Sequence, residues 1–165
     1  MTLIIGGGIA VLIVVVLLVN LVFGNKTNFS GIIALAQTQQ EIARVANEGK
    51  QGLGDQAIAG AAINTRLSMI TQQQNLVSYL GIHRQKIDSK RLALKKDAKT
   101  DKQLQQAKAT STFDIVFTQV MRQQLTDYAG ALQTAYKSAP GNEARKLLAT
   151  DYQQTLMLLK QWPEQ

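Results

Sequence analysis

The fold turns on the stretch Phe113-Asp114-Ile115-Val116-Phe117-Thr118-Gln119-Val120-Met121-Arg122-Gln123-Gln124-Leu125-Thr126-Asp127-Tyr128. Phe113, Val116, Phe117, Val120, Gln124, Tyr128, Ala131 and Ala135 follow one another at helical spacing, and Met121, Leu125 and Leu132 widen the stripe. That period puts them on one side of an α-helix running from about Ser111 or Thr112 to Lys137. Phe113, Phe117, Val120 and Tyr128 are expected to be largely buried. Asp114 falls in the first turn, where a carboxylate favours the positive end of the helix. Tyr79, Tyr128, Tyr136 and Tyr152 read as core residues with the hydroxyl at a wet edge.

Downstream, Ser138-Ala139-Pro140-Gly141-Asn142 is a turn by its Pro-Gly chemistry. A last helix is expected from Glu143 to Gln161, stopped by Pro163, with Ala144, Leu147, Leu148, Asp151, Tyr152, Thr155, Leu158, Leu159 and Trp162 on its apolar side. Near the start of the chain a first helix over about 31–47 carries Ile32, Leu35, Ala36, Gln39, Ile42, Ala43 and Ala46 in one stripe, with Ser30 or Asn28 able to cap it. Gly49 to Gly54 is a glycine-rich turn, and Asp55 is the natural cap of a second helix reaching about Leu80 and ended by Gly81. Ala57, Ala61, Leu67, Met69, Leu76, Tyr79 and Leu80 are its candidate core residues.

Between these two pairs of helices lies a segment of different character. His83 to Lys108 holds nine cations, Arg84, Lys86, Lys90, Arg91, Lys95, Lys96, Lys99, Lys102 and Lys108, against Asp88, Asp97 and Asp101. Nine minus three is +6, nearly all of the chain's net +7. Ile87, Leu92, Leu94 and Leu104 are its few apolar residues, which predicts partial helix laid over the body. Nine cations cannot be buried with three carboxylates to pair them, so they face water or an anionic partner. Lipid headgroups, wall polymers and nucleic acid all fit that description. No aromatic residue interleaves the lysines, so the stacking platform of single-strand binders is missing.

At the other extreme, Leu3 to Phe23 carries no charge, and Asn20 is its only strongly polar side chain. At about 1.5 Å per residue a helix of this length spans roughly 30 Å, the hydrocarbon thickness of a bilayer. Backbone in hydrocarbon must satisfy its own hydrogen bonds, so a single span is a helix. A secretory signal would carry a positive start and a shorter apolar run, and Met1-Thr2 has neither Lys nor Arg. The reading is therefore an uncleaved anchor over 1–24, a juxtamembrane linker over 25–30 and a helical domain over 31–165. Gly6 and Ala10 form a small-xxx-small pair able to seat a second helix, and a homo-oligomer is one option. Lys26 and Arg44 follow the span while no cation precedes it, which votes for a cytoplasmic domain.

Two helical hairpins joined by a long crossover make an all-α, four-helix bundle with a single long connection. Asp101-Lys102-Gln103-Leu104-Gln105-Gln106-Ala107 followed by Phe113-Asp114-x-x-Phe117-x-x-x-Met121 resembles the exported ferritin-like bundles of unknown function found in many bacteria. The resemblance implies a ferritin-like fold and an extracytoplasmic address, and the latter is preferred here over the charge vote. Members usually carry histidines on helices three and four; this sequence has none there.

Chemistry is sparse. Cysteine is absent, which removes disulfides, thiolate catalysis and Cys-based zinc sites. A di-iron bundle needs Glu-x-x-His on two helices, and that motif occurs nowhere; Glu41 and Glu48 on one helix face are the nearest approach. His83, the single histidine, has no orienting partner in sequence. No catalytic residue, metal ligand or cofactor is assigned. The expected role is a membrane-anchored interaction or structural module of the cell envelope. It would contact the bilayer through residues 3–23 and an anionic lipid or polymer through Arg84, Lys86, Lys90, Arg91, Lys95, Lys96, Lys99 and Lys102. The alternatives are a ferritin-like metal-dependent oxidoreductase and an anchored binder of anionic polymer or nucleic acid.

Overall fold

The computed structural model describes residues 29–49 and 52–164. The proposed anchor, Leu3 to Phe23, and the linker up to Asn28 lie outside the described residues. Among the described residues no helix is long and apolar enough to cross a membrane. The protein is all-α there: α1 (Ser30–Glu48), α2 (Gln56–Ile82), α3 (Ser89–Leu92), a short 3-10 turn (Ala93–Lys95), α4 (Ala98–Ala109), α5 (Phe113–Lys137) and α6 (Gly141–Leu159).

The four long helices share one core. α1 packs against α2 and α5, α5 against α6, and α2 against α6. Two hairpins, α1–α2 and α5–α6, therefore meet along two seams. The connector covers one of them, because α3 and the 3-10 turn lie on α1 while α4 lies on α5. The other seam, between α2 and α6, is left uncovered by the connector.

The stripe of α1 is buried as read; on α5 Phe117, Met121, Leu125, Tyr128 and Leu132 are wholly enclosed, while Val116, Gln124 and Ala131 of the expected stripe are half-buried. Phe113 and Phe117 stack obliquely with ring centroids 5.4 Å apart, and Phe117 meets Trp162 at 5.8 Å. Glycines admit these rings to the turn before α2. A Cβ at Gly52 would stand 2.7 Å from the Phe113 ring, and one at Gly49 would stand 2.9 Å from Phe117. At the same end the Asp114 carboxylate accepts hydrogen bonds from the backbone N–H of Gly54 and Asp55, at 2.9–3.2 Å. Asp55 in turn caps α2, accepting from Ala57 and Ile58. One carboxylate thus joins the start of α5 to the start of α2.

Several boundaries depart from the sequence reading. Gly81 does not end α2; the helix continues to Ile82 and stops because Arg84 adopts φ 60, with Gln85 N–H bonded to Leu80 and Arg84 N–H to Gly81. That double closure is a Schellman end with arginine where glycine is usual. α4 ends alike, on Ser111 at φ 57 with Thr112 N–H bonded back to Ala107. The residue at the cap of α1 is Phe29, which makes no side-chain capping bond, and Ser30 is already inside the helix. α6 begins at Gly141, which takes φ +91, and ends at Leu159 before Pro163 is reached. The turn that follows swings Trp162 into the core, where its indole N–H donates to Thr65 at 3.2 Å. On α2, Ala57 and Leu67 are exposed, and the inward line is Ile58, Ala61, Ala62, Thr65, Met69, Gln72, Leu76, Tyr79 and Leu80.

Candidate functional site

Two places concentrate polar chemistry. The first is the connector. Arg84 stands at the end of α2, Lys86 in the link after it, Lys90 and Arg91 in α3, Lys96 after the 3-10 turn, and Lys99 and Lys102 in α4; all seven are exposed. α4 exposes its lysines because Thr100, Leu104 and Ala107, three or four residues apart, face the body. Lys95 departs from the expected pattern: half-buried, it donates to the Thr38 hydroxyl at 2.8 Å, and burial pushes its ammonium pKa down. Leu94 is exposed, whereas Ile87 and Leu92 rest on the core.

The three carboxylates of the connector are spent on its own architecture. Asp88 caps α3 by accepting from Arg91 N–H at 2.7 Å. Asp97 caps α4 and accepts from the Thr100 hydroxyl; burial raises its pKa, but these hydrogen bonds outweigh that and hold it below the ordinary value. Asp101 pairs with Arg44 at 2.7 Å. Arg44 also forms a two-pronged pair with buried Glu41, at 2.7 and 2.8 Å, and the bond to Glu41 is the main reason its pKa is raised. Glu41 further accepts from Asp97 N–H at 3.1 Å. The connector is thereby laced along α1: Gln37 to Arg91, Thr38 to Lys95, Glu41 to Asp97, Arg44 to Asp101. The connector's attachments thus run along α1 from Gln37 to Arg44, and its remaining cations are exposed beside that run and on α4 over α5.

The second place is a polar layer across the middle of the core, which sequence reasoning missed. Each long helix contributes a buried polar residue: Gln39 from α1, Gln72 from α2, Tyr128 from α5 and Asp151 from α6. The Gln39 amide donates to the Tyr128 hydroxyl and, at 3.3 Å, to Asp151. Tyr128 donates to Gln72 at 3.3 Å, and Gln72 donates to Gln154 at 3.1 Å. Burial lifts the Asp151 carboxyl from 3.8 to about 7, against the lowering effect of its bond from Gln39. Burial, with Asp151 beside it, also raises the Tyr128 phenol well above its usual value. The Tyr128 hydroxyl is thus in the core, not at a wet edge. Gln39 and Asp151 lie on the apolar stripes in sequence; Gln72 and the joining of all four depend on tertiary placement.

The arrangement offers one carboxyl and no histidine. Among the described residues no group of three or more His, Cys, Asp or Glu could hold a metal ion. Glu41, the nearest carboxylate to a di-iron pattern, is engaged by Arg44, while Glu48 is exposed. His83 is exposed at the end of α2, its ring 4.5 Å from that of Tyr79 and 5.3 Å from that of Phe29. Comparison with family models, with curated proteins and with solved structures finds no match to this chain.

Proposed function

We propose that the protein is a membrane-anchored helical module of the cell envelope that engages an extended anionic partner along its connector. In this reading Leu3–Phe23 is the anchor and the helical domain lies outside the cytoplasm. The four long helices form a four-helix bundle of the ferritin-like kind with one long crossover. The observation that carries the binding reading is the imbalance on the connector's surface. Asp88 and Asp97 are committed to helix caps, and Asp101 to Arg44 with Lys96 3.9 Å away, while Arg84, Lys86, Lys90, Arg91, Lys96, Lys99 and Lys102 face solvent. Because these cations are spread from the end of α2 through α3 to α4, a linear polymer suits them better than a compact anion.

The test is binding of the full-length chain, held in neutral detergent, to polyphosphate, single-stranded DNA and anionic vesicles. Each cation near such a surface contributes about 1 kcal/mol, so Lys90, Lys96, Lys99 and Lys102 changed together to Gln should weaken polyphosphate binding at least tenfold. Folding should be unchanged, since all four are exposed and Lys95, which bonds Thr38, is left in place. The salt dependence should flatten along with the affinity. Equal binding by wild type and variant would refute the reading. Tighter binding to DNA, or to vesicles, than to polyphosphate would reassign the partner.

A further inference from the structure

We infer that the end of the helical body where α1 begins, α2 stops and α5 turns into α6 is a docking surface for an anionic lipid bilayer. The inference rests on the reading of Leu3–Phe23 as an anchor, and adds to it that the body sits on the membrane by a defined face.

The covalent chain brings this end to the bilayer. The described residues start at Phe29, and only Gly24 to Asn28 separate it from the uncharged stretch that closes at Phe23. Fully extended at about 3.6 Å per residue, the chain from Phe23 to Phe29 covers no more than about 22 Å. A surface tethered that close meets lipid at a high effective concentration, so weak contacts suffice to seat it.

The face matches a headgroup layer. The rings of Phe29, Tyr79 and His83 pack against one another with centroids 4.5–6.2 Å apart, and the Tyr79 hydroxyl donates to the Pro140 carbonyl at 3.1 Å. The start of α1, the end of α2 and the α5–α6 turn are thereby held as one plate. Ile82, the last residue of α2, is 72% exposed on it, and Tyr136, in the last turn of α5, is 44% exposed. An aliphatic tip and an amphipathic ring both suit the membrane–water interface.

Charge makes the lipid anionic. Residues 29–31, 79–86 and 136–146, which make up this end, carry Arg84, Lys86, Lys137, Arg145 and Lys146, all exposed, against the exposed carboxylate of Glu143. At the opposite end stand Glu48, Asp55 and Asp114, with Lys108 beside them over the Phe113 ring. The body is thus basic towards the proposed span and more acidic away from it, the polarity that an anionic leaflet selects. Arg84 and Lys86, at the foot of the connector, then face headgroups, and a polymer keeps the cations from Lys90 onward.

The chain has no cysteine, so a single introduced one can carry an environment-sensitive dye. Gly81→Cys places the dye beside Ile82, where a Cβ meets nothing within 4 Å, and Ile115→Cys places it at the exposed start of α5, at the opposite end. Each full-length chain is reconstituted into vesicles of phosphatidylcholine and phosphatidylglycerol. Release by an alkaline wash would sink the anchor reading and this inference with it. In retained protein the first dye should be blue-shifted and quenched by lipid brominated near the glycerol, and the second should not. Changing Lys86, Lys137, Arg145 and Lys146 to Gln in the Gly81→Cys chain should lower the docked-to-free ratio at least about tenfold, as should omitting phosphatidylglycerol, while helicity and Tm hold. Equal quenching of the two dyes, or quenching of the first that ignores both changes, overturns the docking and leaves the anchor standing. A blue shift that grows with the protein-to-lipid ratio assigns the face to a second copy and overturns it too.

Discussion

Asp151 is a carboxyl held in the polar layer of the core. Its native pKa of about 7 lies above the 3.8 of an unfolded chain, so the native state holds a proton that the unfolded state releases. Its contribution to stability should therefore be complete below about pH 4, decline as pH rises to about 7 and be absent above that, a loss of as much as about 4 kcal/mol from this group. Asp151→Asn should flatten the profile and make the protein more stable than wild type above neutrality; urea unfolding at pH 5 and pH 8 measures both effects. Arg84 and Ser111 make a second expectation at this scale. Each sits in the left-handed region that costs a side-chain-bearing residue about 1 kcal/mol, so Arg84→Gly and Ser111→Gly should each raise stability by up to that amount in thermal unfolding.

For the helices, spacing carried most of the information. Burial on α1 and α5 follows the apolar stripe because tertiary partners reward those residues wherever they point inward. On α2 the same logic misplaced Leu67, since the inward line passes through Thr65 and Gln72, whose partners Trp162 and Tyr128 come from distant parts of the chain. A polar residue reads as outward until its partner is known. Helix ends were harder still, because Arg84 and Ser111 do the work that a glycine would have announced. Two glycines should respond in opposite directions to the same change. Gly52→Ala drives a methyl into the Phe113 ring and should cost about 1–3 kcal/mol. Gly130→Ala, in the middle of α5 with nothing within 4 Å, should gain about 0.5–1 kcal/mol, as helix propensity dictates. A pair of melting curves decides it. Phe117→Ala, at the fully buried meeting point of Phe113 and Trp162, should cost about 3–5 kcal/mol.

Across the whole molecule, the exposure of the connector was legible from charge counting alone, because burying so many unmatched cations is prohibitive. Its attachment to α1 was not, since Glu41 and Arg44 sit far in sequence from Asp97 and Asp101 and nothing local pairs them. Arg44→Gln should show how much depends on that attachment. It leaves Glu41 nearly enclosed without its partner, at a cost of about 2–4 kcal/mol. Trypsin should then cut after Lys96 and Lys99 faster than in wild type, which a time course followed by mass spectrometry would resolve.

The lacing between the connector and α1 also sets a load path. A polymer pulling on the connector would transmit force through the Gln37–Arg91, Thr38–Lys95, Glu41–Asp97 and Arg44–Asp101 links into α1, the helix nearest the proposed anchor. Pulled along α1, those links share the tension side by side instead of opening one after another. The α5–α6 hairpin would share that load through α4, which rests on α5. Tension applied to the connector would thus be shared between α1 and the α5–α6 hairpin.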